Sequence, residues 1–162
     1  MAYWLTIELE PGRMAPLPTT MDAQERARVY GTTVPQILKQ LDRITQALGV
    51  AGIDNFIYKD LKGYTKILKE AESEANAVLA SAMRAEISIL AAQPRWHQPT
   101  TARQTIRTLK EFITTNPHVL PGRDPRDTAR WIMWDLNAYD EILTDAERQG
   151  LKFAFIEREN LN

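Results

Sequence analysis

Apolar residues in this chain follow two periods, and the clearest example of each lies near its C-terminal end. Between Asp124 and Gly150, the residues Ile132, Leu136, Tyr139, Leu143 and Ala146 recur at alternating spacings of four and three, which puts them on one face of a long helix. Trp131, Ala138 and Ile142 form a second stripe, so this helix is expected to touch more than one neighbour. Asp124 is a natural N-cap, and Pro125 fits the first helical position, where its missing N–H costs nothing. Asp127 complements the positive end of the helix dipole, and Gly150 stands where a positive φ closes a helix. Leu151 to Glu157 then switches to strand period, with Leu151, Phe153 and Phe155 on one side. Its best partner is the other end of the chain. There Tyr3, Leu5, Ile7 and Leu9 alternate with Trp4, Thr6, Glu8 and Glu10, the pattern of a half-buried strand with one wet face.

The middle of the chain reads as helices. Pro11-Gly12 stops the first strand, and residues 13–32 read as a surface connection with a short helix at Asp22 to Val29. Thr33 and Gln36 have capping-box spacing, with Pro35 in the first turn, and Ile37, Leu41, Ile44 and Leu48 mark the face of the helix that Gly49 closes. Phe56, Ile57 and Tyr58 fit either a third short strand or a packed loop. Tyr64 to Ala92 has neither Pro nor Gly, and its alanines permit close approach of a neighbour; it reads as one long helix or as two joined by a bend. After an extended connector, Thr100 or Thr101 caps a further helix with Ala102, Ile106, Leu109 and Ile113 inward. The order strand, helices, strand predicts an α+β fold: a mostly helical single domain over residues 1–162, with a small sheet formed by the N- and C-terminal strands.

Length and charge narrow the function classes. A chain of 162 residues can bury a real core. Its net charge of −1 offers no whole-molecule attraction to nucleic acid or to an anionic membrane, and neither is expected as a partner. The absence of cysteine excludes disulfides, thiol catalysis and thiolate metal sites. No apolar run approaches the roughly 18 residues of a membrane span, and the N-terminus lacks a basic region followed by an apolar core, so the expected compartment is the cytoplasm. No glycine cluster suits a phosphate and no histidines have ligand spacing, so no cofactor or metal is expected.

Five residues are candidates for binding. His97 has the side chain that titrates near neutral pH, and His118 is the only other histidine. Trp96 precedes His97 in a proline-bounded loop and could stack on a ligand, anchor a partner or plug a gap between helices. Arg103 and Arg107 share a stripe with Lys110, suited to an anion or to a solvated face. Asp135, Asp140, Glu141, Asp145 and Glu147 read as a solvated acidic face that could pair with this basic stripe. Trp134 lies off both apolar stripes of its helix; with Trp4 it would make an aromatic patch for a protein partner, or else it is core.

From Arg95 onward the chain resembles a group of small uncharacterised bacterial proteins with a Trp-aromatic pair, a helix opening on Thr-(Val/Ile)-Arg-x-Leu and a C-terminal Gly-x-(Arg/Lys)-Phe strand. Here these are Trp96-His97, Thr105-Ile106-Arg107-Thr108-Leu109 and Gly150-Leu151-Lys152-Phe153, with similar stretches at Leu48-Gly49-Val50 and Phe56-Ile57-Tyr58-Lys59-Asp60. The chain departs from that pattern at His97, where the group usually has Phe, and at Gln98-Pro99, where an acid often follows. The resemblance implies a folded domain and no established activity. The expected function is non-catalytic: a cytoplasmic adaptor or immunity-type binder that contacts a protein partner, or associates with itself, through Trp96, His97, Arg103, Arg107 and Trp134. The alternative is a small-ligand binder or enzyme with its pocket around Trp96, His97, Arg103 and Arg107.

Overall fold

The computed structural model describes residues 3–10, 12–15 and 30–159. Their contacts gather in two compact units. One holds the described residues up to Ile57 together with those from Trp96 onward; the other is Tyr58–Arg95. The short helix expected at Asp22 to Val29 lies outside the described residues.

The first unit carries the sheet. Strand β1 (Tyr3–Leu9) lies between the two-residue β2 (Arg13–Met14) and β3 (Phe153–Glu159). β1 and β3 run antiparallel, with Leu5 opposite Glu157, Ile7 opposite Phe155 and Leu9 opposite Phe153. The two chain ends therefore form the sheet of an α+β, mostly helical fold, as their alternation predicts. Helix α1 is Leu38–Ala47, α4 is Pro99–Thr115 and α5 is Pro125–Arg148. Ala102, Ile106, Leu109 and Ile113 of α4 share one core with Ile132, Leu136, Tyr139 and Leu143 of α5 and with Leu5, Ile7, Phe153 and Phe155 of the sheet. The Tyr139 ring meets Phe155 edge-on, with centroids 4.9 Å apart. Phe56 ends a 3-10 turn (Ile53–Phe56), and Ile57 makes a single parallel bridge to Phe155, so that region is a packed loop.

Three local expectations are corrected. The polar side of β1 is not wet: Thr6 and Glu8 are buried, opposite Ile156 and Ala154 of β3. Thr33 and Gln36 do not form a capping box; the segment opens as a 3-10 turn (Val34–Ile37) and the Thr33 side chain caps nothing. Helix α4 starts at Pro99 with Gln98 as its N-cap residue, not Thr100 or Thr101, because proline at N1 already supplies the helical φ. At α5 the sequence signals hold. Asp124 Oδ1 accepts from Arg126 N at 3.1 Å, and Gly150 has φ of +70°.

The second unit is a helical hairpin of α2 (Lys62–Ser73) and α3 (Ala77–Ala91). Ala75 breaks the helix by adopting φ of +55°, a left-handed conformation that costs an L-residue with a Cβ about 1 kcal/mol or more. Asn76 then caps α3, its Oδ1 accepting from Leu79 N at 3.2 Å.

Candidate functional site

Asp135 is expected on a solvated acidic face, and the structure buries it instead. Asp135 is 1% exposed. Its Oδ1 accepts from Gly31 N at 2.7 Å, and its Oδ2 accepts from Thr33 N at 2.9 Å and Val34 N at 3.0 Å. A carboxylate on α5 thus supplies the N-terminal cap that Thr33 does not make. Burial pushes the Asp135 carboxyl above its ordinary range, and the three N–H donors pull it partly back.

The clamp continues into the sheet. Gly31 O accepts from Leu5 N at 2.8 Å, and Tyr139, one helical turn after Asp135, donates its hydroxyl to Leu5 O at 2.6 Å. Burial, with the Asp135 charge nearby, holds the Tyr139 phenol well above its usual range, so it remains a donor. Gly31 has φ of +87°, and a Cβ there would stand 2.1 Å from Leu5 O. No local motif announces a pairing of residues 31–34 with residue 135; the one signal was an acid four residues before a tyrosine on an otherwise apolar face.

The basic stripe of α4 is matched by acids of α5. Arg103 Nη1 pairs with Glu147, whose other oxygen accepts from Thr100 Oγ1 at 3.0 Å. Arg107 Nε lies 3.5 Å from Asp140 Oδ1, and Lys110 Nζ lies 3.3 Å from Asp140 Oδ2. These pairs leave the guanidinium groups with carboxylate neighbours of their own, an arrangement that locks two helices in register rather than one that waits for an anion.

His97 and Trp96 enter the site through the backbone. His97 forms an isolated antiparallel bridge to Phe153, with N to O at 2.8 Å and O to N at 3.0 Å. Its ring stands edge-on to Phe56 at 5.4 Å and lies 6.2 Å from Phe153. Burial lowers its pKa, which keeps the imidazole neutral at pH 7. Trp96 is half-buried beside it. Trp134 is also half-buried and packs against the core, and its indole N–H has no hydrogen-bond partner among the described residues. Thirteen residues separate Trp134 from Glu147, about 20 Å along α5. The five candidates do not share one place: Trp96 and His97 sit at the start of β3, Arg103 and Arg107 lie against Glu147 and Asp140 of α5, and Trp134 is six residues, about 9 Å along the helix, from Asp140.

Two further places merit chemical comparison. A cleft of about 300 Å³ opens beside Asp42, Thr45, Asp54 and Asn55. Its hydroxyl is spent within the fold, since Thr45 Oγ1 donates to Asp42 O at 2.8 Å. Among the described residues, no three acids or histidines are grouped to hold a metal ion.

The other place is the outer side of α3. This helix is apolar at most positions, yet Ala80 is its one buried residue. Val78 is 83% exposed and Ile89 is 58% exposed. With the exposed Ala82 and Ala85 between them, they form a stripe at spacings of four, three and four. Ser81 and Ser88, also exposed, run alongside. The charged residues of α3 are Arg84 and Glu86 alone, and Arg84 is turned to Glu72 of α2 at 3.4 Å. An amphipathic hairpin of a free-standing protein would carry its charges on this side. The alanine content was legible in the sequence; which side of α3 faces outward was not.

No family model, curated protein or solved structure matches this chain.

Proposed function

We propose that this protein works by binding another polypeptide through the outer side of α3, as a non-catalytic cytoplasmic adaptor or immunity-type binder of bacterial origin. The observation that carries this reading is the stripe Val78–Ala82–Ala85–Ile89, exposed along the whole helix and free of charge. Contiguous exposed apolar surface on a small protein costs solubility, and it marks interaction sites more often than bare surface. The seam spacing of four and three is the one by which helices recognise helices. The reading of the Trp96–Arg107 region as a ligand pocket has less support, because Arg103 and Arg107 are matched by Glu147 and Asp140 and the His97 ring is packed on aromatics. No described helix is long and apolar enough to cross a membrane, which is consistent with a protein that meets its partner in the aqueous phase.

The test is affinity capture from native-host lysate with the wild-type chain and with Ala85→Glu, whose side chain points to solvent and leaves the hairpin intact. The proposal predicts a polypeptide in stoichiometric amount with the wild type and absent with the variant. Equal recovery with both baits removes α3 as the binding surface.

A further inference from the structure

We propose that α2 pairs antiparallel with the α2 of a second copy of this chain, through the charged row Lys62–Lys66–Glu70–Glu74. The four residues recur at spacings of four, and all are exposed, on the side of α2 away from the buried Ala71. Residues four apart form a ridge along a helix. The charges on this ridge run plus, plus, minus, minus.

That order works against the helix that carries it. The N-terminal end of a helix favours acids and the C-terminal end favours bases. Helix α2 has no acid in its first turn and no base in its last; Lys62 opens it and Glu74 is its C-cap residue. Lys62 with Lys66, and Glu70 with Glu74, are like charges one turn apart, which repel. Lys66 and Glu70 are opposite, but in the weaker order, with the base nearer the N-terminus. Among the described residues none of these four side chains has an ion-pair partner, whereas Glu72 of the same helix is held by Arg84 at 3.4 Å. The row does not serve the stability of its own hairpin.

An antiparallel copy relieves these conflicts. In a two-fold interface residue i meets j while j meets i. About an axis at Leu68, Lys62 meets the partner's Glu74 and Lys66 meets the partner's Glu70, and the symmetry repeats both contacts, so all four positions face an opposite charge. The same axis sets Gly63 by Ser73 and Ile67 by Lys69, so no like charges meet. Each helix N-terminus also lies toward the partner's C-terminus, where the dipoles attract. Two ridges of this spacing interdigitate when helices cross at about 50°, the commonest packing class. A parallel copy would set every charge on its own image. A uniformly acidic or basic partner would match half of the row and repel the other half. The contact lies on α2 and does not depend on the α3 stripe, which stays open on both copies.

Exposed ion pairs are individually weak, and a single helix crossing buries less than about 1,200 Å², so a reversible dimer is expected rather than an obligate one. It should form at about 0.01 M salt and dissociate at about 1 M, where the Debye length falls from about 30 Å to about 3 Å.

The test is sedimentation equilibrium of the full chain, with circular dichroism to show that each variant keeps its helices. The wild type should approach twice the monomer mass with rising concentration at low salt and return to monomer mass at high salt. K62E/K66E makes the row wholly acidic and E70K/E74K makes it wholly basic; each should stay monomeric alone, and the mixture should dimerise. The fourfold variant K62E/K66E/E70K/E74K reverses the row and keeps the net charge of −1, because its changes cancel. It should dimerise with itself and not with the wild type. Monomer mass for the wild type at its highest soluble concentration overturns the proposal. So does a dimer that survives in either like-charged variant or at high salt, which places the contact elsewhere. Association of the mixture while the fourfold variant stays monomeric shows only net attraction between unlike chains and overturns it too. Ala85→Glu should leave the dimer intact; its loss in that variant would place the self-contact on α3 and overturn the α2 pairing.

Discussion

Replacing Asp135 by alanine should be among the most damaging single changes in this protein, although the sequence presents it as one more acid on an acidic helix. Its two oxygens satisfy three N–H groups, those of Gly31, Thr33 and Val34, at 2.7–3.0 Å, and Asp135 itself is buried. A buried donor left without its acceptor costs about 1–3 kcal/mol. Three such donors at the lower end give about 3 kcal/mol, after allowance for the carboxylate that no longer has to be buried. That is a large share of the roughly 5–15 kcal/mol that holds a domain together. Asp135→Asn keeps an oxygen for some of the donors and should cost about half as much. The assay is urea unfolding followed by circular dichroism, repeated across pH. Burial raises the Asp135 pKa above its ordinary 3.8, so its contribution is complete below 3.8 and diminishes as pH rises through the raised folded value. The stability gap between wild type and D135A should therefore widen on acidification toward pH 4. A gap below about 1 kcal/mol at neutral pH would refute the clamp, since one orphaned donor alone costs that much. A gap that narrows on acidification would show that the N–H donors outweigh burial.

Other perturbations test neighbouring parts of the account. Gly31→Ala combines φ of +87° with a Cβ at 2.1 Å from Leu5 O, so it should cost about 3 kcal/mol or prevent folding, read as a lower urea midpoint or loss of soluble protein. Ala75→Gly relieves the left-handed alanine between α2 and α3 and should raise stability by about 0.5–1 kcal/mol in the same assay. Burial lowers the His97 pKa below its ordinary 6.5, so its contribution is present above 6.5 and lost as pH falls through the folded value. An NMR titration should find the His97 ring protonating below 6.5, and His97→Phe should flatten the pH dependence of stability in that window.

Most of the fold was legible where one period ran long. α5 carries five inward residues at regular spacing between an Asp-Pro start and a Gly stop, and the structure reproduces it from cap to cap. The pairing of β1 with β3 followed from two alternating runs, each the best partner of the other. What escaped was tertiary. The break at Ala75 has no proline or glycine to announce it, and the nearest hint was the capping residue Asn76. Thr6 and Glu8 look like solvent-facing residues because alternation reports two faces and not which of them is covered. Asp135 shows the same limit at the site: its three partners lie more than one hundred residues away, and no local rule links them. The α4–α5 ion pairs were foreseeable as complementary stripes, whereas the backbone bridge of His97 to Phe153 required coordinates.

The central claim is that the outer side of α3 is covered when the protein works. Ile89→Cys gives the cysteine-free chain one thiol on that side, and Lys39→Cys gives a control on the exposed face of α1. The measurement is the rate of maleimide labelling of each variant in native-host lysate against the rate for dilute purified protein. The account predicts that Cys at 89 is protected several-fold in lysate while Cys at 39 is not. Equal rates at 89 in both settings would contradict it.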